Sequence, residues 1–245
     1  MSPERTPVLS PAPPNATTVD AVIITAMDSE LAPFERRASD LSTPRQVGHA
    51  RTSLATVSGR RLLLVRSGIG TVNAAVATAL AVHAVRTSIV VSSGSAGGLG
   101  VGVRVGDVVV GSDYTYSDAD ATAFGYTLGQ VPGMPVSYPG APALVERAKA
   151  RSGVLVGQMV TSDSFVDARM VDHVRAAFPH ALTTDMESAA IAQACHSFGL
   201  PFVSVRGISD LCGPSAGEAF NLAVDDVAAL AADLALDLAT GQSAS

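Results

Sequence analysis

Three short, largely apolar runs place the strongest constraint on the fold of this chain. They cover residues 20–27, 88–91 and 202–205. Near-continuous apolar runs of this length, followed by helical patterns, are typical of buried parallel strands. The sequence therefore predicts an α/β protein, with one mixed central β-sheet flanked by helices in a single domain.

The remaining elements are predicted from periodicity and from glycine and proline positions. Residues 49–57 and 60–66 form a predicted hairpin, and residues 92–99 and 113–120 are predicted connections. We further predict strands at 105–110, 154–161 and 181–184, and helices at 31–38, 72–83, 143–151, 169–177, 185–198 and 224–238. Residues 1–19, rich in Pro, Ser and Thr, are predicted as a flexible tail before a domain over 20–240, and the last residues are expected to fray.

Charge and cysteine content exclude several classes of protein. A net charge of −6 argues against a nucleic-acid-binding protein, which needs a basic face. The chain contains no run of eighteen apolar residues, so no membrane span is expected. Cys195 and Cys212 have neither disulfide nor metal-ligand spacing, which favours a reduced pair in a cytoplasmic protein.

Polar residues follow several predicted strands, at the edge where α/β sheets bind ligands. Glu187 follows one strand and Asp210 ends the next, while Glu30 and Ser95 follow the strands nearer the N-terminus. We expect these four side chains to share one crevice. Helix capping is an alternative role for the acidic cluster at Asp28 and Glu30, because acids favour a helix N-terminus.

The chemistry available to such a crevice is narrow. The sequence indicates no metal site, no cofactor-binding loop and no Ser-His-Asp arrangement, and its five histidines are scattered. The small residues 92–98 are expected to expose backbone N–H groups to a ligand, a tight turn being the alternative. Carboxylates remain, and they can protonate a leaving group, activate water or hold hydroxyls.

Several segments, in order, carry a resemblance to a known family. They are ITAMDSE (24–30), SGIGTVNAA (67–75), SGSAGGL (93–99), VGDVVV (105–110), DADATAFGYTLGQVPG (118–133), SDSF (162–165) and DMESAAIAQACHSFGLPFVSVRGISD (185–210). With them the chain resembles the nucleoside phosphorylase/nucleosidase superfamily, and within it the bacterial methylthioadenosine/S-adenosylhomocysteine nucleosidases. The resemblance implies a nucleoside phosphorylase-like fold, hydrolysis of an N-ribosidic bond without a cofactor, and a place in methionine salvage.

The same resemblance implies roles for three acids. Asp210 would be the general acid that protonates N7 of adenine, so that the base leaves neutral. Glu30 would activate the attacking water, and Glu187 would accept hydrogen bonds from the ribose hydroxyls. The transition state of such chemistry resembles a ribosyl oxocarbenium ion.

The resemblance also implies a set of supporting residues and a homodimer. Phe124 would reach into the site of the neighbouring subunit. The remaining implied contacts are Ser95, Arg206 and Ser209 near the water and Asp210, Met186 beneath the sugar, Phe165 and Val166 at the base, and Met27, Ile69 and Phe220 around the 5′ substituent.

Two departures from the family pattern leave alternatives open. Asp185 stands where the family commonly has Glu; it is expected to serve the helix start, with little effect on activity. Residues 211–226 match less well, so methylthioadenosine, adenosylhomocysteine, 5′-deoxyadenosine and aminodeoxyfutalosine all remain possible substrates. Two rival interpretations remain, a phosphorylase and a non-catalytic nucleoside-binding protein. A phosphorylase is disfavoured because it needs arginine to hold phosphate, and Ser92 and Ser93 stand before the small-residue segment instead.

Overall fold

The computed structural model describes residues 12–241, except for the side chains of residues 221 and 222. Strands and α-helices alternate along most of this range, and a 3₁₀-helix spans Thr122–Phe124. The elements are β1 (Thr17–Thr18), β2 (Ala21–Thr25), α1 (Asp28–Arg36), β3 (Ala38–Leu41), β4 (Arg45–Val47), β5 (Ala50–Val57), β6 (Arg60–Arg66), α2 (Thr71–Ala84), β7 (Val85–Arg86), β8 (Val90–Gly98), β9 (Val108–Tyr116), β10 (Tyr138–Pro139), α3 (Pro142–Lys149), β11 (Val154–Thr161), α4 (Val171–Ala177), β12 (Ala181–Asp185), α5 (Ser188–Ser197), β13 (Phe202–Asp210) and α6 (Ala216–Thr240).

The main sheet is mixed, as predicted. Strand β2, buried at all five positions, pairs in parallel with β6 and β8, and β8 pairs in parallel with β13. Antiparallel pairs join β12 to β8 and β13 to β9, while β11 lies parallel between β12 and β9. Strands β8, β13, β9, β11 and β12 thus close into a ring, which brings the ends of distant strands together.

Helices cover the sheet on two sides. Alanines of α2 and α5, together with Ile191, pack into one apolar cluster. On the other side, Leu31 and Phe34 of α1 pack with alanines of α6 and with Leu144 of α3. Alanine-rich helix faces allow close approach to the sheet, which explains how an apolar content dominated by small residues forms a dense core.

Two predicted boundaries are wrong because strands continue through polar or small residues. Strand β8 runs to Gly98, so residues 92–98 form a strand and not a ligand-binding loop. Strand β9 continues to Tyr116, through a segment predicted as a connection, whereas β13 ends at Asp210, as predicted. Each extension is hydrogen-bonded to a neighbouring strand, and this tertiary pairing outweighs the low strand propensity of glycine and serine.

The C-terminal helix is also longer than predicted. It begins at Ala216, eight residues before the predicted start at Val224, and ends at Thr240, followed by Gly241, which adopts φ 74°. The early start places Phe220 within the helix, where its ring faces Phe165. The hairpin, the strand over 154–161 and the helix over 143–151 lie where the sequence predicted them, within one or two residues.

The N-terminal part of the described chain lies against the domain. Thr17 and Thr18 pair in parallel with Val85 and Arg86, and Val19 is buried. The predicted tail is therefore attached to the domain over these residues, whereas its first eleven residues, and residues 242–245 at the predicted frayed end, lie outside the described residues. No helix within residues 12–241 has the length and apolar character needed to cross a membrane.

Candidate active site

A pocket opens where the carboxyl ends of β2, β8, β12 and β13 meet the start of α6. It contains eleven of the residues predicted for the site: Met27, Glu30, Ile69, Ser95, Phe165, Val166, Met186, Glu187, Ser209, Asp210 and Phe220. Its other lining residues are Ala26, Ala96, Gly97, Ser164, Thr184 and Asp185. The four polar residues expected to share one crevice therefore do so.

Glu30 is held in the pocket by four hydrogen bonds. Its Oε2 accepts the backbone N–H groups of Ala26 and Met27, at 3.0 and 3.1 Å. Its Oε1 accepts both the N–H and the hydroxyl of Ser95, at 2.8 and 2.9 Å. The carboxylate is buried, and it both caps helix α1 and faces the pocket. Capping and a role in the site are thus compatible for Glu30, whereas the exposed Asp28 pairs with Arg51 outside the pocket.

Asp210 is buried and fixed at the end of β13. Its Oδ1 accepts the backbone N–H of Cys212 at 2.8 Å, and its Oδ2 lies 3.0 Å from the hydroxyl of Ser209. Cys212 adopts φ 58°, a conformation uncommon outside glycine, and this turn brings its N–H back to Asp210. The carboxyl group therefore has a defined orientation toward the pocket.

Glu187 lies immediately before helix α5. Its Oε1 accepts the N–H of Gly70 at 3.0 Å, and its Oε2 is 3.6 Å from Nη2 of Arg206. Burial raises the pKa of Glu187 to about 8; the charges of Asp185 and Glu30 add to this shift, and Arg206 and the Gly70 N–H oppose it. At neutral pH the Glu187 carboxyl therefore favours its protonated form.

Arg206 lies beneath these acids and is itself buried. Its Nε donates to Oδ2 of Asp185 at 2.7 Å, in an ion pair whose side chains are both 1 % exposed. Burial alone would raise the pKa of Asp185, but the charge of Arg206 and the hydroxyls of Ser188 and Thr161 lower it on balance. The pair is thus charged, and it supports the floor of the pocket.

The opposite wall of the pocket is apolar and partly open. The rings of Phe165 and Phe220 meet edge to face, with centroids 6.2 Å apart. Ile69 is 50 % exposed and Phe165 is 45 % exposed, so this wall borders the opening. A flat aromatic base and an apolar substituent would both fit such a wall.

Comparisons with known proteins identify the family. The model of the phosphorylase superfamily matches residues 20–241. A 5′-methylthioadenosine/S-adenosylhomocysteine nucleosidase of Geobacillus thermodenitrificans is 39 % identical over 227 residues, which covers 90 % of this chain and 96 % of the relative. One from Staphylococcus aureus is 37 % identical, over 84 % of this chain and 92 % of the relative. The chain belongs to the 5′-methylthioadenosine/S-adenosylhomocysteine nucleosidase family.

Solved structures of this family have the same fold. The Neisseria meningitidis nucleosidase in complex with methylthio-immucillin-A has a TM-score of 0.86 and 35 % identity, covering 91 % of this chain and 99 % of that one. The Streptococcus pneumoniae nucleosidase with a transition-state inhibitor has a TM-score of 0.84 and 30 % identity, covering 89 % and 97 %. The predicted nucleoside phosphorylase-like fold and the recognised family are confirmed, and the protein is an enzyme of the N-glycosidic bond hydrolase type.

Two residues of the predicted nucleosidase site do not line the pocket. Arg206 lies behind the pocket wall, where it pairs with two lining residues, Glu187 and Asp185. Phe124 lies outside the pocket of its own chain, in the 3₁₀-helix, with 83 % of its surface exposed. A contact from Phe124 to a neighbouring subunit stays a prediction.

Sequence reasoning underestimated Asp185. It was expected to serve only the helix start, and its Oδ1 does accept the N–H groups of Glu187 and Ser188, at 3.3 and 3.1 Å. The ion pair with Arg206 is an additional role. The available signal was the isolated Arg206 within an otherwise apolar strand, because a buried arginine requires a carboxylate partner.

Proposed function

We propose that this nucleosidase-family chain hydrolyses the N-ribosidic bond of 5′-methylthioadenosine and S-adenosylhomocysteine, releasing adenine and a 5′-thio-substituted ribose. The observation that carries the proposal is the convergence of Glu30, Glu187 and Asp210, from three distant parts of the sequence, in one pocket with an aromatic wall. The relatives at 39 % and 37 % identity are named as nucleosidases for these two substrates, which supports the same activity here.

Each acid has surroundings that suit a different step. Asp210, oriented by Ser209 and Cys212, donates a proton to N7 of adenine as the bond from N9 to the sugar breaks. The ribosyl cation that develops is attacked at C1′ by a water held at Glu30 and Ser95, and the water gives up its proton to the Glu30 carboxylate. Glu187 accepts hydrogen bonds from the ribose hydroxyls, and this orients the sugar between the other two acids.

Hydrolysis is favoured over phosphorolysis by the charge of the pocket. Within the part of the chain that the structure describes, no lysine or arginine lines the pocket. Ser92 and Ser93, which precede Gly94, are both buried in strand β8. A phosphate dianion would therefore meet several carboxylates without an accessible cation, which is unfavourable in a buried site.

A non-catalytic nucleoside-binding protein is the second rival. A protein that only binds would not need separate hydrogen-bonded settings for the acids at the base, the water and the sugar. Glu30 and Asp210 are each held by at least two donors, and Ser95 contributes both its N–H and its hydroxyl. This degree of positioning favours catalysis.

We further propose that the enzyme acts as a cytoplasmic homodimer in methionine salvage. Ile69, Val72 and Val76 form an exposed apolar stripe at the start of α2, beside the pocket opening, and Phe124 is exposed as well. A second subunit that covers this stripe would bury apolar surface. It could also bring its own Phe124 to the open wall near Ile69.

The test of the proposed activity is the release of free adenine from a panel of nucleosides. Methylthioadenosine, adenosylhomocysteine, 5′-deoxyadenosine and aminodeoxyfutalosine are incubated separately with the enzyme, and adenine is quantified by chromatography. We expect the highest kcat/KM for the first two, because the apolar wall of Met27, Ile69 and Phe220 suits a thioether. A higher kcat/KM for aminodeoxyfutalosine would reassign the substrate, and no adenine from any of the four would refute the activity.

A further inference from the structure

The guanidinium of Arg206 is paired with two carboxylates, those of Asp185 and Glu187, and lies near a third, that of Glu30. Its Nη2 is 3.6 Å from Oε2 of Glu187. On its other side, a Cβ placed on Gly94 would lie 2.6 Å from Nη1 of Arg206 and 2.6 Å from Oε1 of Glu30, so these two groups border the same small space. The orientation of one buried side chain is therefore linked to both the water-side and the sugar-side acid.

Asp185 fixes that orientation. Its Oδ2 accepts Nε of Arg206 at 2.7 Å and also the hydroxyl of Ser188, which in turn lies 3.1 Å from Nη2. Its Oδ1 accepts the hydroxyl of Thr161, at the end of β11, at 2.6 Å. Together with the N–H groups at the start of α5, these bonds tie three elements to one carboxylate, which is itself buried.

We propose that Asp185 is a positioning residue for the proposed hydrolysis, holding Arg206 so that its Nη atoms face Glu30 and Glu187. This inference rests on the proposed function. Asp185 acts through Arg206 and through the start of α5, which carries Glu187. Without the Asp185 charge, Arg206 would turn toward Glu187, because no third carboxylate in the described chain lies within ion-pair distance of its guanidinium.

The test compares Asp185→Asn with Asp237→Asn. Asp237 is also a buried carboxylate paired with arginine, but it lies near the C-terminal end of α6 and does not line the pocket of Glu30, Glu187 and Asp210. Both changes leave an arginine without its charge partner, so both are expected to lower Tm. Only Asp185→Asn is expected to lower kcat for methylthioadenosine, by about 10–100-fold, with KM changed less than about three-fold.

The pH dependence of kcat/KM separates positioning from a loss of folded protein. Glu187 is faced by Asp185, Arg206, Glu30 and the N–H of Gly70. Loss of the Asp185 charge and closer pairing with Arg206 both lower the pKa of Glu187. The acidic limb of the kcat/KM profile, where Glu187 gains its proton, should therefore move to lower pH in Asp185→Asn. A loss of folded protein alone would reduce the rate by the same factor at every pH, without moving that limb.

A second variant covers the case in which Asp185→Asn does not fold. Thr161→Val keeps the ion pair but removes the donor to Oδ1, and it should lower kcat by about five-fold with KM unchanged. Adenine release by the wild-type enzyme is the reference for the proposed function. The positioning role is wrong if the wild type releases adenine and the kcat of Asp185→Asn stays within two-fold of the wild-type kcat. If Asp185→Asn does not fold, the same criterion applies to Thr161→Val. No release by the wild type refutes the proposed function instead.

Discussion

At the scale of single residues, the site depends on how three similar carboxyl groups are given different surroundings. Asp210 is oriented by one backbone N–H and one hydroxyl, Glu30 accepts four hydrogen bonds, and the Glu187 carboxyl accepts the N–H of Gly70 and lies 3.6 Å from Arg206. Chemically similar groups can thus take different steps of one reaction.

Replacement of Asp210 tests the assignment of the general acid. Asp210→Asn keeps the size of the side chain and one acceptor oxygen for the N–H of Cys212, but it cannot donate the proton to N7. We expect kcat to fall by about 10²–10⁴-fold, with adenine binding changed only a few-fold. Steady-state kinetics and calorimetric titration of adenine measure the two quantities. Near-normal turnover in a folded Asp210→Asn variant would contradict the assignment.

The buried Glu187 predicts a pH-dependent contribution to stability. Because its pKa is raised from 4.5 to about 8, the folded protein binds its proton more tightly than the unfolded chain does. This contribution is fully present below pH 4.5 and is lost as the pH rises through 8. Glu187→Gln should therefore gain Tm relative to wild type as the pH increases from 5 to 9.

Thermal unfolding of both proteins across this range measures the difference. Glu146→Gln, a change at an exposed helix position, is the matched control. The raised pKa of Glu187 would be contradicted if the Tm of Glu187→Gln, relative to wild type, stays constant or falls as the pH rises.

The residues that contact substrate in the proposal were predictable because they occur in contiguous motifs. The contacts that hold these residues in place could not be predicted. The bond from Cys212 to Asp210 depends on a positive φ, and the Asp185–Arg206 pair depends on two strands that are not adjacent in the sheet. Sequence shows the residue types in these cases, but only the packed structure shows which donor meets which acceptor.

At the scale of elements, strand β8 is the feature that sequence reasoning most misjudged. Its small residues were predicted as a loop, yet they form a strand between β13 and both β2 and β12. The glycines are required because side chains approach the strand closely: a Cβ on Gly97 would lie 2.6 Å from Sγ of Cys212. Local propensity cannot reveal such a constraint, since the neighbouring side chains come from distant segments.

Substitution of Gly94 tests the role of this strand. A methyl group at this position would lie 2.6 Å from both Arg206 and Glu30, so Gly94→Ala should displace them and lower kcat/KM by more than about ten-fold. Gly217→Ala, in helix α6, is the control, because a Cβ there meets nothing within 4 Å. If Gly94→Ala retains wild-type kcat/KM, as Gly217→Ala is expected to, the close packing of Arg206 and Glu30 against this strand does not matter for activity.

At the scale of the whole molecule, the proposed partner subunit would cover the open wall of the pocket and the exposed apolar stripe beside it. The stripe of Ile69, Val72 and Val76 lies next to the pocket opening, and Phe124 is exposed on the same chain. The class of the fold and its mixed sheet were predictable from apolar runs, whereas this surface becomes visible only once the helix faces are known.

Subunit mixing tests the proposed contribution of Phe124. Phe124→Ala should weaken turnover in a dimer, and Asp210→Asn should abolish it. In a hybrid dimer, the Phe124→Ala subunit keeps its own Asp210 and receives Phe124 from the other subunit. After the two variants are mixed and their subunits have exchanged, the mixture should therefore release adenine faster than the sum of the two variants measured separately. No gain after exchange, or a monomeric wild type in light scattering, would contradict the proposal.

The most direct measurement of the proposed reaction is adenine release from methylthioadenosine in phosphate-free buffer, repeated with added phosphate. A water-dependent reaction predicts equimolar adenine and free 5-methylthioribose in both buffers, with the same rate. Adenine that appears only when phosphate is added, together with a sugar phosphate, would contradict hydrolysis. Tight binding of methylthioadenosine with no adenine released over hours would contradict catalysis altogether.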